Sequence, residues 1–161
     1  MLREAAASDW HGTETPELAW GHVSLEHVSF SYGAAPLLMD VSLHVTPGEK
    51  IALVGRSGSG KTTLLALLQR LYEPQQGSVY MDHHRLAAMD SAHLRSSLAV
   101  VAQHPTLFPA TVADNIAAGR PIAHDALVLA AQQACAHAFI EALPAQYATR
   151  LGTSTSLSGG Q

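Results

Sequence analysis

The sequence predicts a mixed α/β domain with an antiparallel β start, an α/β middle and a helical tail. Three observations lead to this fold class. Two early segments mostly alternate apolar and polar residues, short apolar runs flank a leucine-rich helical pattern in the middle, and helical spacing dominates from residue 111 onward. Because period-2 alternation indicates half-buried strands and spacings of three and four indicate helices, both kinds of element are expected to pack in layers.

Composition limits the functions that this chain can have. Its 161 residues suit one domain of ordinary size, and 47% hydrophobic against 14% charged residues indicates a substantial core rather than disorder. The net charge of −4 offers no general attraction for nucleic acid or an anionic membrane. Cys135 is the single cysteine, which excludes an internal disulfide and favours a reducing compartment.

The first element in order is a lead-in over residues 1–20, which has no clear period and contains Gly12 and Pro16. We expect a linker there and the domain from residue 21 to residue 161. No stretch reaches the ~20 mostly apolar residues that a spanning helix needs. Work at a membrane would therefore require docking onto a partner that spans it.

Two strands are expected after the lead-in. The first has its apolar residues at mostly alternate positions, namely Val23, Leu25, Val28 and Phe30. The second repeats this pattern at Val41, Leu43 and Val45, before Pro47 and Gly48 turn the chain. The pattern predicts two half-buried, antiparallel strands.

The middle of the chain predicts strands that are buried on both faces. Residues 50–54 (KIALV) and 98–102 (LAVVA) are short apolar runs of the kind found in such strands. Leucines at helical spacing predict a helix from about Gly60 to Leu71. The remaining predicted elements are a strand over residues 77–81 and helices over residues 91–97, 111–118 and 125–143.

Residues 55–62 (GRSGSGKT) match the Walker A or P-loop pattern G-x-x-x-x-G-K-[ST], between a predicted strand and a predicted helix. Glycines let the backbone curl so that N–H groups point at phosphate oxygens, and the helix N-terminus adds its dipole. Lys61 would reach the β and γ phosphates, and the Thr62 hydroxyl would hold Mg²⁺. The plain alternative is a glycine-rich turn, which the strand–loop–helix context disfavours. The predicted nucleotide-binding residues are Gly55, Ser57, Gly58, Ser59, Gly60, Lys61, Thr62 and Thr63.

The last five residues, 157–161 (LSGGQ), narrow the class of P-loop protein. They resemble the signature of the ATP-binding cassette (ABC) family, and the resemblance extends back to about residue 21. It implies a P-loop NTPase fold with an ABC ATPase core, an antiparallel β subdomain and a helical subdomain over about residues 104–161. It also implies ATP and Mg²⁺ as ligands. The residues that it places at or beside the γ-phosphate of an opposite subunit are Ser158, Gly159, Gly160 and Gln161.

The resemblance assigns roles to two more residues. Tyr32 follows the first strand, where the family places an aromatic ring that stacks on adenine. Gln103 follows the run 98–102, where the family's loop glutamine contacts Mg²⁺ and the attacking water and senses the membrane domain. Taken singly, a residue such as Tyr32 is more often a core or rim residue, and one such as Gln103 is usually an ordinary loop residue.

Residues 100–121 are similar to exporter-type cassettes, whose corresponding segment packs under the cytoplasmic ends of transmembrane helices. Leu107, Phe108 and Val112 would make apolar contacts there, or would equally well be core residues of the helical subdomain. The implied partners are the transmembrane domain of an exporter and a second nucleotide-binding domain in a head-to-tail dimer. The implied location is the cytoplasmic face of a membrane.

The family pattern continues after the signature with a Walker B Asp, a catalytic Glu and a switch His. Residues 1–161 are therefore expected to be the N-terminal portion of such a domain, and to hydrolyse no ATP by themselves. Residues 152–156 (GTSTS) also lack the Glu of the exporter element Gly-Glu-x-Gly. The resemblance therefore does not extend to the cross-subunit contact that this Glu usually makes.

Three other residues invite a chemical interpretation. His83 and His84 stand beside Asp82, but neighbouring strand residues face opposite sides, so we expect an exposed hairpin rather than a shared metal. Cys135 falls on the apolar face of the predicted helix 125–143 and is expected to be a small core residue.

Two alternatives to an exporter ATPase remain open. A soluble cassette ATPase of DNA repair or translation would need the same P-loop, but the exporter-like residues 100–121 disfavour it. The second alternative is a non-hydrolysing module that binds nucleotide or packs against a complete partner. Membrane association tests the first, and steady-state ATPase measurement tests the second.

Overall fold

The computed structural model describes residues 12–18, 20–103 and 106–152. The chain forms two compact units, of which the first ends at Val100 and the second begins at Val101. A four-stranded sheet with helices makes up the first unit, and the second is helical. Strands followed by helices are the mixed α/β arrangement that the sequence predicts.

The sheet of the first unit has the order β2-β1-β3-β4, and every neighbouring pair is antiparallel. The two predicted early strands are confirmed, and the strand predicted over residues 77–81 begins one residue earlier than expected, at Gln76. The strands are β1 (Val23–Phe30), β2 (Leu38–Val45), β3 (Gln76–Met81) and β4 (His84–Arg85).

A β-bulge explains why the apolar pattern of β1 is only mostly alternate. Leu25 pairs with Leu43 of β2 and with Val79 of β3, and the register with β2 shifts between Leu25 and Val28. His27 takes a positive φ of 52° at that point. The extra residue returns Val28 to the face of Leu25, and both side chains are fully buried.

Two helices pack with this sheet. Helix α1 (Lys61–Leu68) buries Leu64 and Leu67 in the same apolar cluster as β1, β2 and β3. It ends before the predicted Leu71 because Arg70 takes a left-handed φ of 51°. Helix α2 (Ser91–Ser97), which is predicted correctly, is capped by the Asp90 carboxylate, which accepts the His93 N–H at 2.8 Å.

Part of the predicted lead-in lies against this unit. The Glu14 N–H donates to the Ala88 carbonyl at 3.0 Å, and the Asp90 N–H donates to the Glu14 carbonyl at 2.7 Å. His93 Nε2 also lies 2.7 Å from the carbonyl oxygen of Pro16. The boundary between lead-in and domain at residue 21 stays a prediction.

The prediction of buried strands over residues 50–54 and 98–102 is wrong for the part of the chain that the structure describes. Neither segment is paired as a strand with a described residue. Several of the side chains are exposed, by 89% at Val54 and by 96% at Val101. A strand exists through hydrogen bonds to a neighbour, and an apolar run does not by itself supply that neighbour.

Among its described residues, the second unit has three short α-helices and a 3₁₀ helix (Gln146–Ala148) around its own apolar cluster. Helix α3 (Val112–Ala117) agrees with the prediction, with Thr111 as its N-cap. The predicted helix 125–143 is divided into α4 (His124–Gln133) and α5 (His137–Glu141). The buried residues of the cluster are Val112, Ala131, Ile140, Tyr147 and Leu151.

Cys135 is the residue at which the long predicted helix breaks. It takes a left-handed φ of 56° between α4 and α5, and its side chain is exposed. The prediction of a buried core cysteine is therefore wrong. A helical wheel places Cys135 on the apolar face only if the helix is continuous, and the break changes the direction of its side chain. None of the described helices is both long enough and apolar enough to cross a membrane.

A candidate nucleotide-binding site

The loop before α1 has the backbone shape that the P-loop pattern predicts. Ser57 and Gly58 form a turn, and the Ser59 N–H donates to the Arg56 carbonyl at 3.2 Å. Gly58 and Gly60 have positive φ angles of 81° and 88°. Such angles are costly for residues with a Cβ, so the two glycines permit the curl of the loop.

The N-terminal end of α1 offers main-chain N–H groups to an anion. Gly60 is the N-cap and has no side chain that could accept from them. The first bond across this end is the Leu64 N–H to the Gly60 carbonyl, at 2.8 Å. The leading N–H groups of a helix lack partners within the helix, and together with the dipole they favour a phosphate.

Lys61 brings a positive charge into the loop. Its Nζ lies 2.8 Å from the carbonyl oxygens of Gly55 and Arg56, and 3.3 Å from Ser59 Oγ. The ammonium is held by exposed main-chain oxygens rather than by a carboxylate. It can therefore turn toward a phosphate without leaving an acidic partner unpaired.

Tyr32 lies next to this loop, as the adenine prediction requires. Its hydroxyl is 3.2 Å from Thr63 Oγ1 of α1, the residue that follows Thr62. The Tyr32 ring packs edge-on against Phe30, at 4.9 Å between centroids, and against Tyr72, at 5.1 Å. Since 39% of the residue stays exposed, part of the ring is available to a flat ligand.

Two residues near Tyr32 were not predicted from the sequence. Tyr72 follows α1 and supports the Tyr32 ring from one side. Gln75 binds the main chain of Ser31, directly before Tyr32, with both ends of its carboxamide. A tyrosine after a leucine-rich helix could have suggested an aromatic cluster, whereas nothing in the local sequence indicates the role of Gln75.

The structure does not test the other predicted site residues. Gln103 is exposed and belongs to the second unit, so its contact with Mg²⁺ stays a prediction. The signature residues Ser158, Gly159, Gly160 and Gln161 lie outside the described residues.

The apolar residues of the exporter-like segment divide into two kinds. Val112 is buried in the apolar cluster of the second unit, with 5% of its surface exposed. Leu107 and Phe108 are 50% and 62% exposed. Val112 is thus a core residue, and the apolar contact that Leu107 and Phe108 would make stays a prediction.

The histidine pair lies on the predicted hairpin. Asp82 and His83 form the turn between β3 and β4, with φ angles of 46° and 70°. Asp82 is buried rather than exposed, because its carboxylate accepts the N–H groups of Trp20 at 2.9 Å and His22 at 2.7 Å. No cluster of three or more potential ligand side chains suited to a metal occurs among the described residues.

Comparison with known proteins establishes the family. Residues 38–161 match the sequence profile described as ABC transporter. The chain belongs to the ABC transporter family. Members of this family are ATP-binding proteins that hydrolyse ATP, so the predicted resemblance and class of ligand are confirmed at the level of the family.

The relatives of this ABC chain include ATP-binding proteins of secretion systems and flippases. It is 49% identical over 146 residues to the cyclolysin secretion/processing ATP-binding protein CyaB of Bordetella pertussis, over 88% of this chain and 20% of that protein. It is 42% identical over 164 residues to the ATP-dependent lipid A-core flippase of Acinetobacter baylyi, over 99% of this chain and 28% of that protein. The ABC chain thus spans less than a third of the length of these relatives.

The fold agrees with a solved ABC structure. The chain superimposes with a TM-score of 0.85 on a bacterial Atm1-family ABC exporter with ATP bound, at 33% sequence identity. The match covers 93% of this chain and 27% of the exporter chain. The predicted ABC ATPase fold class is therefore confirmed.

Proposed function

We propose that this chain is the ATP-binding part of an ABC exporter, in which ATP binding and hydrolysis are coupled to export across a membrane. The observation that carries this proposal is the contact between the Tyr32 hydroxyl and Thr63 Oγ1. It brings a ring suited to a base next to a loop suited to phosphates, and a nucleoside triphosphate has both parts.

The phosphates would bind along residues 55–63. The main-chain N–H groups at the start of α1 would donate to phosphate oxygens, and Lys61 would add a mobile charge. The Thr62 hydroxyl, on an exposed residue, is an oxygen donor of the kind that Mg²⁺ prefers. Mg²⁺ held there would neutralise part of the phosphate charge. Gln103 is proposed as a further contact of this ion, from the family resemblance alone.

The adenine would stack on the exposed part of Tyr32. The edge-on packing against Phe30 and Tyr72 supports this role, because it limits the directions that the ring can take. A ring that is oriented before binding loses less entropy when it stacks. The hydroxyl contact with Thr63 adds a second restraint.

The second unit would transmit the state of the nucleotide to a transmembrane domain. Phe108 exposes a large apolar ring while its main chain is held by Asn115, whose Oδ1 accepts the Phe108 N–H at 2.8 Å and whose Nδ2 donates to its carbonyl at 3.1 Å. A firmly held, exposed apolar residue suits a protein contact. Relatives of this chain are named as a lipid A-core flippase and as a putative multidrug export ATP-binding/permease protein, which supports a role in export.

The remaining assignments are proposed from the family resemblance. Ser158, Gly159, Gly160 and Gln161 would contact the γ-phosphate held by a second nucleotide-binding domain in a head-to-tail dimer. The protein would act at the cytoplasmic face of the membrane that contains its transmembrane partner.

Exchange of Lys61 tests the proposal. In the product of the complete gene, we expect Lys61→Ala to lose most ATP binding and ATP-driven transport in membrane vesicles, because the loop loses its mobile cation. Lys50→Ala is the matched control, since Lys50 is exposed and is the only other lysine of the sequence. Equal ATP affinity of wild type and Lys61→Ala would contradict the site. A gene product that does not sediment with membranes would instead contradict the exporter assignment.

A further inference from the structure

We propose that Gln75 is a positioning residue for adenine recognition, which acts by holding the main chain that presents Tyr32. The inference rests on the proposed function, since it adds a determinant of base binding to the same nucleotide site. Gln75 itself is not assigned a contact with the nucleotide.

The carboxamide of Gln75 binds both polar groups of one peptide segment. Its Oε1 accepts the Ser31 N–H at 2.7 Å, and its Nε2 donates to the Ser31 carbonyl at 2.9 Å. The same Nε2 lies 3.4 Å from Ser31 Oγ. Since the two residues are 44 positions apart, this contact ties the loop after β1 to the start of β3.

The Gln75 side chain continues the pairing with the first strand beyond the last main-chain pair between β1 and β3. The β1–β3 ladder has its last pair at Ser29 and Gln76, and the Gln75 N–H donates to the Ser29 carbonyl at 3.0 Å. Ser31 lies beyond the end of β1. A carboxamide carries one acceptor and donors on neighbouring atoms, as a peptide group does, so Gln75 offers Ser31 the pair of bonds that another strand residue would offer.

The position of the hydrogen bonds between Gln75 and Ser31 links them to base binding rather than to phosphate binding. Ser31 directly precedes Tyr32, whereas the Lys61 ammonium of the phosphate loop is held within residues 55–59. Gln75 is exposed, so its removal takes little apolar surface out of the core. Without these hydrogen bonds, Tyr32 keeps its ring contacts, but its backbone gains conformational freedom that base binding must then remove.

A comparison of two ligands tests this role, in the product of the complete gene with Mg²⁺ present. ATP carries the base, and inorganic tripolyphosphate binds through phosphates alone. We expect Gln75→Ala to weaken ATP binding by about three- to tenfold, which is part of what stacking a base on an aromatic ring contributes. Tripolyphosphate binding should stay within about twofold of wild type.

Three further variants make the test specific. Gln76→Ala is the matched control, because it removes an exposed glutamine from the next position; both affinities should stay unchanged. Gln75→Glu keeps an acceptor for the Ser31 N–H but loses the donor to its carbonyl, so its ATP affinity should be intermediate. On a Tyr32→Ala background, Gln75→Ala should cause no additional loss, because the ring that it positions is already absent.

The outcomes separate this inference from the proposed function. Three outcomes would overturn the role of Gln75 and leave the proposed function intact. Gln75→Ala could lose equal affinity for ATP and for tripolyphosphate, or its loss could add to that of Tyr32→Ala in the double variant. It could also lose no ATP affinity while Tyr32→Ala binds ATP weakly. Full ATP affinity in Tyr32→Ala would overturn the adenine contact itself, and the role of Gln75 with it. Tyr32→Phe should bind ATP nearly as well as wild type, since it keeps the ring face.

Discussion

Gly60 is the most constrained residue of the phosphate loop. Its φ of 88° lies in the left-handed region, and a Cβ there would lie 2.6 Å from Leu38 Cδ2. The backbone conformation therefore disfavours a side chain, and a Cβ would also require the Leu38 side chain to shift. Gly58 differs, because its φ of 81° restricts it while a Cβ at that position would meet no described atom within 4 Å.

We predict that Gly60→Ala lowers the stability of the first unit by about 1 to 3 kcal/mol, the usual cost of a non-glycine residue in such a conformation. It should also weaken ATP binding, because strain at Gly60 displaces the main-chain N–H groups at the start of α1 from their positions around the phosphates. Thermal unfolding and nucleotide titration measure the two effects. Gly33→Ala is the control, since a Cβ there would meet no described atom within 4 Å. Equal effects of the two substitutions on stability and ATP binding would show that neither property depends on the left-handed conformation of Gly60.

Among individual site residues, those of the loop could be predicted and those around the base only in part. Lys61 and Thr62 act through a local pattern whose spacing and context are visible in the sequence. Tyr72 and Gln75 reach Tyr32 and Ser31 only through the fold. A single sequence carries no signal for such pairs, because the contacts join positions that are distant along the chain.

At the scale of elements, α3 has the most complete local signal. The Thr111 hydroxyl accepts the Asp114 N–H at 3.0 Å, and the Asp114 carboxylate accepts the Thr111 N–H at 3.1 Å and its hydroxyl at 2.7 Å. This capping box satisfies donors at the helix start. The hydrogen bonds from the Thr111 side chain and main chain hold the pKa of Asp114 below its ordinary value of 3.8.

The capping box makes the stability of α3 dependent on pH. Because the pKa of Asp114 is lowered by folding, the unfolded state binds the proton first as the pH falls. The contribution of the carboxylate is thus complete above about pH 3.8 and is lost as the pH falls through the lowered pKa of the folded state. We predict that amide hydrogen exchange of α3 accelerates in that range relative to α4.

Variants of the box isolate this effect. Asp114→Asn should remove the acidic dependence, and Thr111→Ala should speed the exchange of α3 at every pH, consistent with a loss of about 0.5 to 2 kcal/mol for an N-cap. Thr111→Ser keeps the hydroxyl and serves as the control. An unchanged pH dependence in Asp114→Asn would assign the effect to another group.

The division of the predicted helix 125–143 shows where local patterns stop being informative. Leu127 and Ala131, which precede the break, are buried. Cys135 takes a left-handed conformation, and Ala134 and Ala138 beside it are exposed. No glycine or proline stands at this point of the sequence to indicate a break. Packing of α4 and α5 in one cluster accompanies the break.

At the scale of the whole molecule, Val112 and Phe108 are expected to have different roles. Val112 would contribute to the stability of the second unit, and Phe108 to the coupling of ATP hydrolysis to transport. Val112→Ala should destabilise the second unit by about 1 to 3 kcal/mol, because its side chain is buried. Phe108→Ala should leave stability and ATP binding close to wild type, because the ring is 62% exposed. It should nevertheless reduce ATP-driven transport in vesicles if this ring contacts a transmembrane domain.

The same measurements identify the outcome that contradicts this assignment. Transport, ATPase activity and thermal unfolding are compared for the two variants in the product of the complete gene. A Phe108→Ala protein that transports at the wild-type rate per ATP hydrolysed would show that the ring has no coupling role. A large loss of stability in that variant would show that it is a packing residue after all.

The sequence by itself determined the P-loop, the family signature and the positions of the first two strands, because each depends on residues close together in the chain. The tertiary structure alone decided that residues 50–54 and 98–102 lack strand neighbours among the described residues, that Cys135 is exposed, and that Gln75 holds Ser31 beside Tyr32. Burial and strand pairing depend on which distant segments meet. Local composition predicts what a segment can form, and only its neighbours in space decide what it does form.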